Sequence, residues 1–151
     1  MRSFNPIGPG QAPGFVAPAL ATAIARNELT GDTEIPIGNL SARRDFTDVR
    51  DVARAYRLLM AEGEPGDVYC VCSGVDIAIQ ELADTLVGMA TSPMTLVTDP
   101  DRYRPVDIPV LRGSNTKIHA ATGWAPSHTI AETLADLLDE CRARVRSDVA
   151  T

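Results

Sequence analysis

Apolar positions recur along this chain with two different periods, and the switches between them mark out its elements. Over FVAPALATAIARNEL, Val16, Leu20 and Ile24 are four apart, which predicts a helix from about Pro18 to Glu28 with Pro18 confined to its first turn. In TGDTEIPIGN, Ile35 and Ile37 alternate with polar neighbours between glycines, the pattern of a short half-buried strand. In the next segment Asp48, with Asp51 three residues on, is placed to cap a helix. Val49, Val52, Ala53, Tyr56, Leu59 and Met60 form its apolar face, and Gly63 and Pro65 stop it. DVYCVCSG is an almost wholly apolar run between turn residues, which suits a strand covered on both faces, as in a parallel sheet. Such a strand needs neighbours.

Ile79, Leu82, Ala83, Leu86 and Ala90 predict a further helix, and MTLVTD a further strand. DPDRYRPVDIPVLRG reads as a Pro-rich extended loop, followed by a short helix from about Asn115 to Gly123. Thr129 and Glu132 have the spacing of a capping box for the last helix, whose apolar face is Ile130, Leu134, Leu137, Leu138, Cys141 and Val145. Helices and strands therefore alternate, and the class is α/β. Only three or four short strands are available, too few for a sheet with a doubly covered member.

Composition narrows the functional classes. At 151 residues, 44% apolar and 23% charged, the chain has the length of a single domain, residues 1–151, with a core of its own. A net charge of −6 argues against a nucleic-acid surface. No apolar run approaches the roughly 20 residues of a membrane span, so the reading is a cytoplasmic chain with no membrane partner. Cys70, Cys72 and Cys141 are an odd number without a C-x-x-C pair, which supports neither a disulfide framework nor a metal site. Cys70 and Cys72 fall on one face of the apolar strand, as small buried hydrophobes do.

The candidate chemistry is one of binding. Gly8, Gly10 and Gly14 do not fit G-x-G-x-x-G, because Pro13 stands in the third glycine's place, and no Walker lysine follows. The opening segment MRSFNPIGPGQAPGFV is instead a Gly/Pro turn that lies against a ligand or another domain. No G-x-S-x-G is present; His119 and His128 read as surface or capping residues, and Asp48 and Asp51 as helix-capping acids. Thirteen of the fourteen basic residues are arginine. Along an extended RRDF, Arg43 and Arg44 point to opposite faces, so a single pocket receives only one of them. Arg104 is held out of helical geometry by Pro105, with Asp107 three residues on. That pair suits a phosphate and a ribose hydroxyl, and equally a surface salt bridge.

Taken together, RSFNPIGPGQAPGFV, IGNLSARRDFTDVRDVARAY, GDVYCVCSG and DPDRYRPVDIPVLRGSNTKIHAATGWAPSHTIAETL resemble the second half of extended short-chain dehydrogenases acting on nucleotide-diphospho-sugars. The branch most similar contains GDP-mannose 4,6-dehydratase and GDP-4-keto-6-deoxy-mannose reductase. The resemblance implies the substrate-binding half of a Rossmann-type α/β enzyme, with a GDP-sugar as ligand. It implies Asn5 and Arg44 on the diphosphate, Phe15 and Val16 in the nucleoside pocket, Arg104 and Asp107 on phosphate and ribose, and Phe4 near the nicotinamide of NAD(P). The family's Y-x-x-x-K pair is not found here: Tyr56, Tyr69 and Tyr103 are followed four residues later by Met60, Ser73 and Asp107. The resemblance therefore implies no catalytic residue in this chain and no cofactor bound by it alone. It also implies a Rossmann half or a second copy as partner, with an interaction module as the alternative reading. Departures from the family pattern are Pro6, Cys70 and Ser114, none of which removes a diphosphate ligand.

Overall fold

The structure, a computed structural model, describes residues 1–103 and 108–149. The chain runs β1 (Arg2–Ser3), β2 (Pro6–Ile7), α1 (Val16–Thr30), β3 (Glu34–Ile37), β4 (Arg43–Asp45), β5 (Thr47–Asp48) and α2 (Val49–Glu62). It continues with β6 (Cys70–Val71), β7 (Asp76–Ala78), α3 (Ile79–Gly88), β8 (Thr95–Thr98), a 3-10 turn at Pro100–Arg102, β9 (Val110–Leu111), α4 (Thr116–Thr122) and α5 (Ile130–Val149). The class is α/β, and the helices follow the predicted pattern closely. Asp48 caps α2 by accepting from Arg50 N, Thr129 and Glu132 close their reciprocal box at 2.8 and 3.2 Å, and Gly123 ends α4 in the left-handed region.

The described strands are more numerous than the pattern predicts, and shorter. Nine strands of two to four residues form four separate small sheets: β1–β6, β2–β5 and β3–β8, all parallel, and a three-stranded β7–β4–β9. Two-residue pairings are too short to show alternation, so only β3, β8 and the apolar run around β6 were visible beforehand.

Two cores hold these pieces. Leu20, Ile24, Leu82, Leu86, Leu134 and Leu137 bring α1, α3 and α5 together over Ile35 of β3. Val52, Ala55 and Leu59 of α2 close on Tyr69, Val71, Ile118 and Trp124 in the second.

Two expectations need correction. The buried face of α2 is Asp51, Val52, Ala55 and Leu59, while Val49, Ala53, Tyr56 and Met60 are exposed, Met60 at 86%. A buried acid rotates the inward face, which apolar periodicity alone does not reveal. Around β6 the face of Tyr69 and Val71 is buried throughout, whereas on the other face Cys72 is buried, Cys70 half-buried and Val68 50% exposed, so that second face is covered only toward Cys72 within these residues.

Candidate functional site

Four of the residues singled out from sequence converge on one cavity of about 590 Å³: Asn5, Phe15, Val16 and Arg44. The loop between β2 and α1 forms one wall. It turns at Gly8, whose φ of 147° and whose approach to Val49 (a Cβ would lie 2.9 Å from Val49 Cγ1) leave room only for glycine. Gln11 fastens the loop on itself, its Nε2 donating to Pro6 O at 2.9 Å. The opposite wall comes from Asn39, Ala42, Arg44, Phe46 and Ile79. Phe15, 59% exposed, stands at the rim. Phe15 and Val16 also line a second cavity of about 670 Å³, together with Ile35, Ile37 and Leu40.

The site is electropositive for two separate reasons. Arg43 and Arg44 do point apart: Arg43 pairs with Asp76 at 2.6 Å and Glu81 at 3.3 Å, whereas Arg44 lines the cavity. Arg44 Nη1 donates to Arg43 O and Ile108 O, both at 2.8 Å, and its charge meets no carboxylate among the described residues. The N-terminus of α1 also borders the cavity, with no side-chain cap at Phe15. Uncapped amides and the helix dipole both favour an anion.

Asn5 is the one non-glycine residue with positive φ, 30°, among those described. Its Nδ2 donates to Asp45 O at 2.8 Å and its own carbonyl accepts from Thr47 N at 3.4 Å. The amide orientation is thereby set, because its oxygen cannot face another carbonyl. Phe4 is half-buried and lies outside the cavity lining; its Cζ is packed so closely on Gly113 that a Cβ there would lie 3.1 Å away. Arg104 and Asp107 fall outside the described residues.

Three acids shape the surroundings, and sequence reading missed what two of them do. Asp45, fully buried, accepts from Ser73 N and Oγ, Gly74 N and Gly113 N. Asp51 is more than a capping acid: it is buried and receives Ser127 N and Oγ, His128 N and the Arg54 guanidinium. Burial pushes its pKa up, but the Ser127 hydroxyl and Arg54 outweigh that and hold it well below the usual carboxylate range. Asp48 is likewise lowered, with Arg50 overcoming burial. Burial, with Asp45 nearby, pushes the Cys72 thiol up to about 11, which makes it an unreactive packing group. Gln11 and Asn39 were also missed. Gln11 lies inside the quoted loop, whose lack of periodicity says nothing about which side chains turn inward.

Among the described residues no group of His, Cys, Asp and Glu is arranged to hold a metal, and no helix is long and apolar enough to cross a membrane.

The fold is that of extended short-chain dehydrogenase/reductases, and its coverage is consistent with their C-terminal half. The chain is a member of the GDP-mannose 4,6 dehydratase family, whose profile matches residues 1–137. It is 40% identical over 148 residues to a GDP-6-deoxy-D-mannose reductase of Pseudomonas aeruginosa, covering 97% of this chain and 49% of that protein. It is 25% identical to a GDP-mannose 4,6-dehydratase of Sinorhizobium fredii, covering 91% and 44%. The solved structure of RMD from Pseudomonas aeruginosa complexed with NADPH superimposes with a TM-score of 0.88 at 39% identity, over 95% of this chain and 48% of that one. The chain thus spans about half the length of the curated relatives it matches.

Proposed function

We propose that these residues form the nucleotide-sugar-binding portion of an NAD(P)-dependent GDP-mannose 4,6-dehydratase or GDP-6-deoxy-mannose reductase. The observation that carries the reading is the convergence of Asn5, Phe15, Val16 and Arg44 on one cavity, where the Arg44 charge meets no carboxylate among the described residues. In this reading Arg44 and the free Asn5 N–H bind the diphosphate, while Phe15 and Val16 hold the nucleoside. Arg104 and Asp107 add a phosphate and a ribose contact. Residues 1–151 act as one substrate-binding domain. A bound dinucleotide would supply hydride chemistry at the hexose C4, either taking the hydride transiently ahead of loss of water from C5 and C6 or delivering it in net reduction of a 4-keto sugar, and Phe4 is this chain's contribution on the nicotinamide side. The chain alone binds no dinucleotide and turns over no substrate, because it holds neither a Y-x-x-x-K pair nor a glycine-rich phosphate loop. In this reading the protein works in the cytoplasm, in sugar-nucleotide metabolism.

Calorimetric titration with GDP-mannose tests the assignment. Wild type gives a saturable heat, and Arg44→Ala weakens binding by roughly tenfold or more, as loss of a charge-assisted contact does. Identical isotherms for the two proteins would remove the phosphate role.

The exposed apolar stripe Val49, Ala53, Tyr56 and Met60, together with the open-edged β1–β6 pair, favours a second component of the reading. The chain completes a Rossmann half, on the same or a separate polypeptide, or else covers that surface with a second copy. Co-expression with a family Rossmann half decides between them: recovered NADP-dependent activity supports completion, and a stable homodimer without nucleotide affinity supports an interaction module.

A further inference from the structure

Among the described residues, Asp45 is the only carboxylate that ties strand β4 to both the turn after β6 and the segment after β9. Each of its oxygens accepts twice: Oδ1 from Ser73 N at 2.9 Å and Ser73 Oγ at 2.6 Å, Oδ2 from Gly74 N at 3.0 Å and Gly113 N at 3.2 Å. All four partners are donors, and the group is 0% exposed. No neutral side chain of the same shape satisfies this set. An amide turned one way presents its N–H₂ to the Gly74 and Gly113 donors, and turned the other way presents it to the Ser73 N–H.

The same residue reaches the cavity by its backbone. Asp45 O accepts the Asn5 amide at 2.8 Å, and that amide hangs from a residue held at a φ of 30°, which the chain avoids without a reason. Arg44, the residue before it, lines the cavity wall.

We propose that Asp45 is a positioning residue for ligand binding, acting through Asn5 and Arg44: its carboxylate gathers two remote turns and so fixes the strand whose carbonyl aims the Asn5 amide. The inference rests on the reading of the cavity as a nucleotide-sugar site for its ligand, but its geometric part holds in the ligand-free protein.

The test uses the whole chain labelled with ¹⁵N, the Asn5 side-chain amide being assigned by its disappearance in Asn5→Ala. In wild type its two Nδ2 protons resonate well apart and exchange slowly. Asp45→Asn, at a temperature where circular dichroism and Trp124 fluorescence match wild type, collapses that separation and weakens GDP by about tenfold or more, the scale of a lost buried hydrogen-bond set. A merely structural role would lower the unfolding midpoint without moving the Asn5 signal or the affinity, and that result overturns the proposal. Ser73→Ala removes only the hydroxyl donor and decides the matter if Asp45→Asn does not fold. A partial loss of amide protection with a matching loss of affinity supports the proposal, and no change in either overturns it. GDP that fails to bind wild type, while the Asn5 signal responds to Asp45→Asn, removes the nucleotide-sugar reading and leaves the positioning geometry standing.

Discussion

Arg43 ties its guanidinium to Asp76 and Glu81, whereas its neighbour Arg44 gives one nitrogen to two carbonyls and keeps its charge at the cavity. Replacing Arg43 with alanine therefore leaves GDP affinity within about twofold, since exposed ion pairs contribute little and the side chain faces away from the cavity. Titration of the two single variants side by side checks the contrast. Gly113 gives a second prediction at this scale. A Cβ there would lie 2.6 Å from Cys72 Sγ and 3.1 Å from Phe4 Cζ, so Gly113→Ala overpacks the contact and costs about 1–3 kcal/mol, read from a urea unfolding curve. Asn5 and Arg44 were singled out before the structure only through the family resemblance, strand alternation adding that Arg43 and Arg44 part. Asp45 was not, because its partners lie 28 and 68 residues away and no local rule brings them together.

Helix α2 carries two apolar faces, and only the structure separates them. Val52, Ala55 and Leu59 pack around Trp124, whose Nε1 donates to Asp51 O at 3.0 Å, while Val49, Ala53, Tyr56 and Met60 stay outside. The hydrophobic pattern contains both sets, so it predicts the helix and its ends but places the inward face too broadly. The buried Asp51 decides it, and its Ser127 and His128 donors come from the far end of the chain. Leu59→Ala should cost about 2–5 kcal/mol as a core truncation, whereas Met60→Glu should stay within about 0.5 kcal/mol of wild type. Denaturation followed by the fluorescence of Trp124, the single tryptophan, compares them directly. The same Met60→Glu change should abolish pairing with a co-expressed Rossmann half if this stripe is the docking face; retained pairing would move the interface elsewhere.

At the scale of the whole molecule, short parallel sheets contribute little rigidity by themselves, and the helices carry the load. Two- and three-stranded pieces are marginal alone, and parallel pairs are the weaker kind. The helix packing is clamped by one ion pair: Arg142 of α5 donates to Glu28 of α1 at 2.7 and 2.8 Å and to Met89 O, just past α3, at 3.0 Å. Glu28 is 8% exposed, and the Arg142 hydrogen bond, outweighing burial, lowers its pKa from 4.5 to about 2. A lowered folded-state pKa means that the unfolded chain takes up protons first as the solution is acidified. The stabilisation is complete above about pH 4.5 and is lost as the pH falls toward 2, and a shift of this size corresponds to about 3 kcal/mol. Asp48 and Asp51 are lowered too and act with the same sign in the acid range. Urea midpoints measured from pH 6 down to pH 2 should therefore fall steeply in wild type. Glu28→Gln should be less stable at pH 6 and should lose less on acidification, because the group that takes up the proton is gone. Parallel pH profiles for the two proteins would assign the acid sensitivity to Asp48 and Asp51 instead.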